Sequence, residues 1–291
     1  MIGHKPPWLK ARIPAGGKYF RLKRELAERG LHTVCQSASC PNVHECWNNG
    51  QATFLIMGDT CTRHCRFCSV ASGIPQPLDQ REGEKIAEMV RRWRLPHVVL
   101  TSVTRDDLED RGSSHYAAVI RAIKGAKPDA TVEVLIPDLD GSTPWLDTVL
   151  AAAPDVVAHN VETVKEIYPH VNRRPSSYQV SLRTLAYCRE RGVITKSGLM
   201  VGLGEKAEQL DNLFMDLYRV GVRILTIGQY LRPTKAQVPV KKYFAPEEFD
   251  HWRESALAHG IPVVMAGPFV RSSYHSAEAH GMAVHEIPHF Q

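Results

Sequence analysis

Three cysteines fall within one short stretch of this sequence, at Cys61, Cys65 and Cys68. Cysteine thiolates are the ligands that soft metals such as cluster iron prefer. Three thiols suit an iron–sulfur cluster whose fourth iron is left open. Structural zinc needs four ligands and would have to borrow His64 or a more distant group. The spacing therefore favours an iron–sulfur cluster, and zinc remains the alternative.

A second cysteine triplet lies upstream, at Cys35, Cys40 and Cys46, and Cys188 stands apart from both. The first 20 residues have no signal-peptide pattern, so a cytoplasmic location is predicted. In that compartment cysteines are expected to hold metal or do chemistry rather than to form disulfides. Cys188 lies on a helical pattern beside Leu185, which predicts a buried and inert thiol.

Length and composition predict a folded protein with a large core. The chain has 291 residues, of which 43% are hydrophobic and 23% are charged, and its net charge is +5. This length suits one large α/β domain with additions or two small domains. No apolar run approaches the roughly 18 residues that a membrane helix needs. No dense basic tract indicates nucleic-acid binding, so neither a membrane nor a nucleic acid is expected as a partner.

The elements that must position these cysteines follow from the hydrophobic periodicity, which alternates strand and helix from about residue 52 to residue 228. Six parallel strands of this kind form a barrel, a partial barrel or an open doubly wound sheet, and the pattern leaves all three open. The loop that carries Cys61 follows the first strand, where α/β folds place their chemistry. The predicted strands cover residues 52–57, 97–101, 131–136, 155–159, 193–201 and 222–227. Before them, Phe20, Leu22 and Leu26 predict one amphipathic helix that ends at Gly30.

The first triplet, written out as Cys61-Thr-Arg-His-Cys65-Arg-Phe-Cys68, resembles the signature of radical S-adenosylmethionine (SAM) enzymes, with Phe67 as the aromatic residue before the last cysteine. The resemblance implies a 4Fe-4S cluster whose open iron chelates the amino and carboxylate groups of SAM. Reductive cleavage of SAM then gives a 5′-deoxyadenosyl radical, which abstracts a hydrogen atom from an unactivated carbon.

The second triplet resembles the auxiliary-cluster motif of lipoyl synthases. The resemblance continues along nearly the whole chain, through residues 40–42, 45–47, 53–70, 101–108, 159–163, 198–205, 226–231 and 271–275. It implies a partial (β/α)6 parallel barrel over residues 51–260. Residues 1–50 would then be an N-terminal extension with the auxiliary cluster motif, and residues 261–291 a C-terminal tail.

The same resemblance assigns the ligands of a second 4Fe-4S cluster. Cys35, Cys40 and Cys46 would bind it together with Ser273, and Ser272 is the less favoured choice of serine. A hydroxyl is a poorer partner than a thiolate for soft iron, so this corner of the cluster can detach and expose a sulfide. Arg271 would pair with a carboxylate nearby.

Candidate SAM-binding residues lie at the ends of the predicted strands. Asn160 and Glu162 are the strongest, because a carboxylate and an amide beside a strand end can bind ribose hydroxyls. Arg173 and Ser181 could bind the SAM carboxylate, and a solvated basic loop is the alternative reading. The remaining candidates are Ser102, Lys196, Met200, Gln229, Tyr230 and Leu231.

The resemblance implies insertion of two sulfur atoms at C6 and C8 of a protein-bound octanoyl-lysine, with sulfur drawn from the auxiliary cluster. The expected partners are octanoylated lipoyl domains, which are commonly acidic, or the glycine-cleavage carrier protein. An external electron donor and an iron–sulfur carrier are expected too. The rival functions are a tRNA methylthiotransferase, for which the tail after Ile261 is too short to add a nucleic-acid-binding domain, and a non-catalytic zinc module.

The match to the family departs from its usual pattern at two places. Residues 237–240 read Gln-Val-Pro-Val where many family members have His-Leu-Pro-Val, and Lys206 follows Glu205 where threonine is familiar. Neither departure falls on a proposed cluster ligand.

Overall fold

A computed structural model describes residues 5–10, 17–49, 51–174 and 176–285. The chain divides into two compact units. The first unit consists of residues 11–64 and 68–155, and the second consists of residues 1–10, 65–67 and 156–291.

The first unit is a sheet with helices. Its described strands are β1 (His32–Thr33), β2 (Thr53–Ile56), β3 (Thr60–Cys61), β4 (Ala71–Ser72), β5 (His97–Ser102) and β6 (Thr131–Leu135). Its described helices are α1 (Gly17–Arg29), α2 (Val34–Ser37), α3 (Val43–Asn48), α4 (Glu82–Trp93), α5 (Ser113–Ala126) and α6 (Thr143–Leu150). Strands β2, β5 and β6 are parallel neighbours, β1 pairs with β2 in antiparallel direction, and β3 pairs separately with β4.

The sequence of the first unit explains this arrangement. All four residues of β2 are buried, as expected for a parallel strand with both faces covered. Consecutive parallel strands need crossover connections, and α4 and α5 supply them. Helix α4 buries Ile86, Met89 and Val90. Gly83 allows α4 to lie close to α5, because a side chain at this position would meet the Val119 Cα at 3.3 Å.

The second unit continues the strand–helix alternation. Its described strands are β7 (Val156–Ala158), β8 (Ile194–Val201), β9 (Ile224–Gln229) and β10 (Val263–Gly267). Its described α-helices are α7 (Ser176–Glu190), α8 (Ala207–Arg219), α9 (Pro246–Ala258) and α10 (Ser276–His285), and 3-10 helices cover Pro7–Leu9 and Lys165–Val171. The four strands are parallel in the order β7-β8-β9-β10.

All six predicted strands are present, within two residues of their predicted ends. Strand β10 was not predicted. It lies in the region expected to be a tail, and it pairs with β9 from Val263 opposite Ile224 onwards. The predicted N-terminal helix is also present and ends before Gly30, which has a φ of +63°. The division into an extension, a barrel and a tail stays a prediction.

The helices were also compared with the requirements for crossing a bilayer. Within the described ranges of the chain, none is both long enough and apolar enough to span a membrane.

Candidate functional site

The cysteine loop begins at a sharp turn that follows β2. Met57 has a φ of +67° and Gly58 has a φ of +92°, which turns the chain away from the strand direction. The Met57 amide donates to Glu82 Oε2 at 2.9 Å, and His115 Nε2 lies 2.6 Å from the same oxygen. Glu82 and His115 are both buried. A buried polar network therefore fixes the point at which the loop leaves the sheet.

Arg63, between the first two cysteines, clamps the loop to two others. Its guanidinium donates two hydrogen bonds to Asp106, at 2.8 and 2.9 Å, and two to Asp138, at 2.7 and 2.9 Å. Asp106 follows β5 and Asp138 follows β6. Burial opposes the charge on Arg63, but the hydrogen bonds and charges of Asp106 and Asp138 outweigh it and raise the Arg63 pKa above its ordinary value. The clamp is therefore a charged, doubly bidentate pair, the strongest geometry for this side chain.

Backbone amides point at the thiols of this loop. Cys61 Sγ accepts from the amides of Arg63, at 3.4 Å, and Thr104, at 3.3 Å, and Cys68 Sγ accepts from the Val70 amide at 3.4 Å. Donors of this kind favour the thiolate form that metal binding requires. They also tune the potential of an iron–sulfur cluster.

The middle of the same loop belongs to the second unit. The Arg66 amide donates to the Val171 carbonyl at 3.0 Å, and the Val238 amide donates to the Arg66 carbonyl at 2.9 Å. Phe67 packs against the buried core of that unit. The aromatic residue before the last cysteine therefore anchors the loop.

The second triplet lies wholly in the first unit. Cys35 is buried in α2, Cys46 lies in α3, and the Cys40 amide donates to the Cys35 carbonyl at 3.0 Å. Burial raises the pKa of the Cys46 thiol to about 12, and the nearby charges of Cys40 and Cys35 raise it further. Burial also raises the pKa of Cys35. Cys46 thus lies close enough to Cys40 and Cys35 for their charges to affect its thiol.

The donor set fits two clusters. None of the six cysteines in the two triplets forms a disulfide within the described residues, and thiolate is the ligand that cluster iron takes. Within the described part of the chain, no three His, Cys, Asp or Glu side chains converge on the position of one metal ion. In a 4Fe-4S cluster each thiolate binds a different iron, so its ligands lie farther apart.

Glu162, after β7, has a strained backbone. Its φ is +68°, in the left-handed region that glutamate rarely adopts. Two backbone hydrogen bonds to β8 hold it there, from the Glu162 amide to Gly198 at 3.0 Å and from the Met200 amide to Glu162 at 2.8 Å. Strain of this kind persists only where the surrounding structure enforces it, and it is common at functional sites.

Two polar partners act on the Glu162 carboxyl, the Arg173 guanidinium and the Asn160 side-chain amide. Burial raises the Glu162 pKa, whereas the charge of Arg173 and a hydrogen bond from the Asn160 amide act in the opposite direction. The Arg173 guanidinium in turn lies over the Tyr168 ring, 4.7 Å from its centre. Glu162, Asn160 and Arg173 therefore form one cluster, as their prediction as SAM-binding residues requires.

Asn160 connects this cluster to the C-terminal segment. Its Nδ2 donates to Ser272 Oγ at 2.7 Å, and its Oδ1 is buried without a hydrogen-bond partner in the described residues. Gly198 leaves the room for this contact, because a Cβ there would lie 2.8 Å from Asn160 Oδ1 and 3.2 Å from Ser272 Oγ. An orphaned buried acceptor of this kind fits a ligand that supplies a donor.

Several predicted SAM-binding side chains are already engaged inside the second unit. Ser181 Oγ is buried and lies 2.8 Å from His159 Nε2. Gln229 Nε2 donates to three carbonyls, of Val201, Tyr230 and Lys242, and the Tyr230 hydroxyl donates to Val238 at 2.9 Å. These side chains hold the rim of the sheet in shape, and their contact with SAM stays a prediction.

The other predicted site residues are placed as follows. Lys196 is buried in β8, and Met200 and Leu231 are half-buried. Ser102, in the first unit, is half-buried at the end of β5. Arg271 Nη1 donates to the carbonyls of Pro268, at 3.5 Å, and Val270, at 2.6 Å. Their roles, and that of Ser273 as an iron ligand, stay predictions.

Sequence reasoning did not assign roles to Arg63, Glu82 or Glu205. Glu205 accepts hydrogen bonds from the amides of Gly202, Leu203 and Gly204, at 2.5, 2.9 and 3.0 Å, and so closes the turn after β8. The sequence feature that could have indicated this role is a glutamate directly after a Gly-x-Gly turn. Nothing in the sequence pairs Arg63 with Asp138, or Glu82 with His115.

Comparison with known proteins decides the family. The profile of the radical SAM superfamily matches residues 55–217, and that of the N-terminal domain of lipoyl synthase matches residues 3–40. A lipoyl synthase of Parabacteroides distasonis is 48% identical over 276 residues, which cover 95% of this chain and 98% of the relative. The chain belongs to the lipoyl synthase family. A lipoyl synthase of Pelodictyon phaeoclathratiforme is 50% identical over 277 residues, which cover 94% of each chain.

Solved structures share the fold. Methylornithine synthase superposes with a TM-score of 0.58 at 14% identity, over 73% of this chain and 70% of the other. The FeFe-hydrogenase maturase from Carboxydothermus hydrogenoformans superposes with a TM-score of 0.59 at 14% identity, over 79% of this chain and 56% of the other. These likenesses and the family membership confirm the predicted α/β fold class with parallel strands, and membership also implies SAM and 4Fe-4S cofactors.

Asn160→Ala and Glu162→Gln are each expected to weaken SAM binding about 5- to 150-fold. Asn160→Ala removes the amide, and Glu162→Gln replaces one accepting oxygen with an NH2 group that cannot accept. A polar group left unpaired in a buried site costs about 1–3 kcal/mol. Titration calorimetry of the cluster-loaded protein measures the effect. Glu166→Gln is the matched control, because Glu166 is exposed in the 3-10 helix that follows. Unchanged affinity in both variants would remove the two residues from the SAM site.

Proposed function

We propose that this protein acts as a lipoyl synthase and inserts two sulfur atoms, at C6 and C8, into a protein-bound octanoyl-lysine. The single observation that carries the proposal is the presence of two cysteine triplets on separate segments of a chain whose relatives match it over about 95% of its length. One triplet follows β2, and the other occupies α2, α3 and the segment between them.

Cys61, Cys65 and Cys68 hold a cluster that, when bound, supplies the electron for reductive cleavage of SAM. The other residues discussed here position the cysteine loop or bind SAM. Arg63 fixes the loop between the cysteines, and the amides of Thr104 and Val70 stabilise thiolates. Within the second unit, Asn160 Oδ1 has no hydrogen-bond partner among the described residues, which supports its proposed contact with SAM. Glu162 adds a carboxyl whose burial strengthens its hydrogen bonds relative to those in water.

Cys35, Cys40 and Cys46, with Ser273, hold the cluster from which the sulfur is drawn. The raised pKa of Cys46, due to burial and to the neighbouring thiols, supports a shared site for the three cysteines. The hydrogen bond between Ser272 and Asn160 supports a distinct role for each serine of the pair, since it already engages Ser272. Ser273 is therefore the serine that we assign to iron.

The substrate is an octanoylated lipoyl domain or the glycine-cleavage carrier protein. Each C–H bond that is replaced by a C–S bond requires one SAM and one electron from an external donor, and releases methionine and 5′-deoxyadenosine. Sulfur drawn from a cluster must be replaced, so an iron–sulfur carrier is a further partner. The cytoplasmic location stays a prediction.

The rival functions are weaker. A tRNA methylthiotransferase and a non-catalytic zinc module both lack support from the family matches, which are to lipoyl synthases along the chain.

The test of this function is direct. Anaerobically reconstituted protein is incubated with SAM, dithionite and an octanoyl-lysine peptide, and the product is followed by mass spectrometry. We expect lipoyl peptide and two equivalents of 5′-deoxyadenosine per product. A peptide that gains a methylthio group, or protein that contains zinc in place of iron and sulfide, would show that another function is correct.

A further inference from the structure

Helix α1 carries a concentrated positive charge. Its 13 residues include five cations, at Lys18, Arg21, Lys23, Arg24 and Arg29, against two carboxylates. The helix therefore has a net charge of +3, whereas the whole chain has +5. Its buried residues are Leu22, Glu25 and Leu26, so most of the cations lie on the outward side.

Contacts with α4 occupy the charged groups on the inner side of α1. Glu25 is buried, with Oε2 at 3.2 Å from Arg92 Nε and at 3.0 Å from Trp93 Nε1. Arg29 pairs with Glu88 at 3.2 Å. In the described part of the chain no ion pair joins Lys18 or Lys23 to a carboxylate, and Arg24 has only a 3.6 Å contact with exposed Glu28. The outer cations are thus left without strong internal partners.

An exposed aromatic residue lies among these cations. Phe20 is 69% exposed. Residues three and four apart are neighbours on a helix surface, so Phe20, Lys23 and Arg24 share one face. Aromatic and arginine side chains are the residues that most often dominate protein–protein interfaces. Phe20, Lys23 and Arg24 are called the basic face below.

The basic face borders the segment that carries an auxiliary cysteine. The Tyr19 ring lies 4.4 Å from the His44 ring and 5.1 Å from the Trp47 ring, measured between centres. The Tyr19 amide donates to Asn48 Oδ1 at 3.3 Å. These three partners belong to α3, which also contains Cys46. A protein bound on α1 would therefore lie beside the helix that holds one ligand of the sulfur-donating cluster.

We propose that the basic face is the docking surface for the protein that carries the octanoyl chain, a folded domain with an acidic surface. The inference rests on the proposed function, and charge complementarity selects the partner. Opposite charges across an interface speed encounter and fix orientation, and Phe20 supplies an apolar contact at the centre of the face. Docking on α1 brings the acylated lysine to the side of the chain that holds the auxiliary triplet.

The test compares a double charge reversal, Lys23→Glu with Arg24→Glu, with a matched reversal at exposed helical cations elsewhere, Arg121→Glu with Arg183→Glu. Each protein is assayed with an octanoylated acidic carrier domain and with a short neutral octanoyl-lysine peptide. For the basic-face variant we expect kcat/KM to fall about tenfold or more on the domain, with little change on the peptide. Salt should weaken activity on the domain in the wild type and have less effect in this variant.

Two further measurements test docking separately from turnover and from folding of the variant. Calorimetry with the octanoylated domain measures docking without turnover, so the surface is tested even if no lipoyl product forms. Lys23→Gln with Arg24→Gln, checked for unchanged iron content, gives a milder variant if the reversal does not fold. The proposal would be overturned if kcat/KM fell equally on the domain and on the peptide, or if the control variant lost as much activity on the domain. It would also be overturned if the basic-face variant lost binding of labelled RNA and bound the domain as the wild type does.

Discussion

Replacement of Cys61, Cys65 and Cys68 by alanine in one variant is expected to abolish the formation of 5′-deoxyadenosine. In the proposed function these three thiols hold the cluster that binds SAM, and no other described cysteine belongs to their loop. About half of the iron and sulfide should remain, bound by the other triplet. Anaerobic reconstitution followed by iron and sulfide analysis and by chromatography of the SAM products measures both quantities.

The control for this variant is Cys188→Ala. Cys188 is buried on α7, far along the chain from both triplets, so its loss should leave iron content and SAM cleavage unchanged. If the triple variant still produced 5′-deoxyadenosine, the roles given to the two triplets would be wrong.

Replacement of Cys35, Cys40 and Cys46 by alanine should separate hydrogen abstraction from sulfur insertion. The variant keeps the cysteine loop and its Arg63 clamp, so it should still cleave SAM and abstract hydrogen from an octanoyl-lysine peptide. It should form no C–S bond, because the source of sulfur is gone. Deuterium transfer from the labelled octanoyl chain into 5′-deoxyadenosine measures the first step, and mass spectrometry of the peptide measures the second.

The source of the sulfur is tested in a single turnover with wild-type protein. When the clusters are built with heavy sulfide, the label should enter the lipoyl peptide. Product that contains only light sulfur, or any lipoyl product from the variant lacking the auxiliary cysteines, would contradict sulfur donation by the auxiliary cluster.

The strands and helices could be predicted where the local order of apolar and polar residues indicates which side chains are buried. The runs that became β2, β5 and β8 lie within the regular alternation of strand and helix patterns, and the first two are mostly apolar. Strand β10 was missed because its apolar stretch at Val263 and Val264 is short and lies beyond the clear alternation. Phe20 fitted the apolar pattern of α1, yet it is exposed, because the burial of an aromatic residue depends on what packs against the helix.

The candidate site was predictable where ligands cluster in sequence. Spacing alone predicted that Cys61, Cys65 and Cys68 share one loop, because residues close together in the sequence must also lie close together in the structure. The pairing of Asn160 with Ser272 spans more than a hundred residues, and only the packing of the folded sheet brings such groups together. Gln229 shows that a polar residue at a strand end can also bind the protein's own backbone, which its position in the sequence does not reveal.

The conformation of Glu162 sets a limit on how far this protein can be made heat-resistant without loss of function. A left-handed backbone at a non-glycine residue costs about 1–3 kcal/mol of folding free energy. Burial raises the pKa of its carboxyl, so the unfolded chain loses this proton at a lower pH than the folded protein does. The resulting loss of stability is absent below the ordinary carboxyl pKa, grows as the pH rises towards the raised pKa and is complete above it. Selection for thermal tolerance alone would favour glycine or a neutral residue at this position. If Glu162 contacts SAM as proposed, such a variant would gain stability and lose affinity for the cofactor.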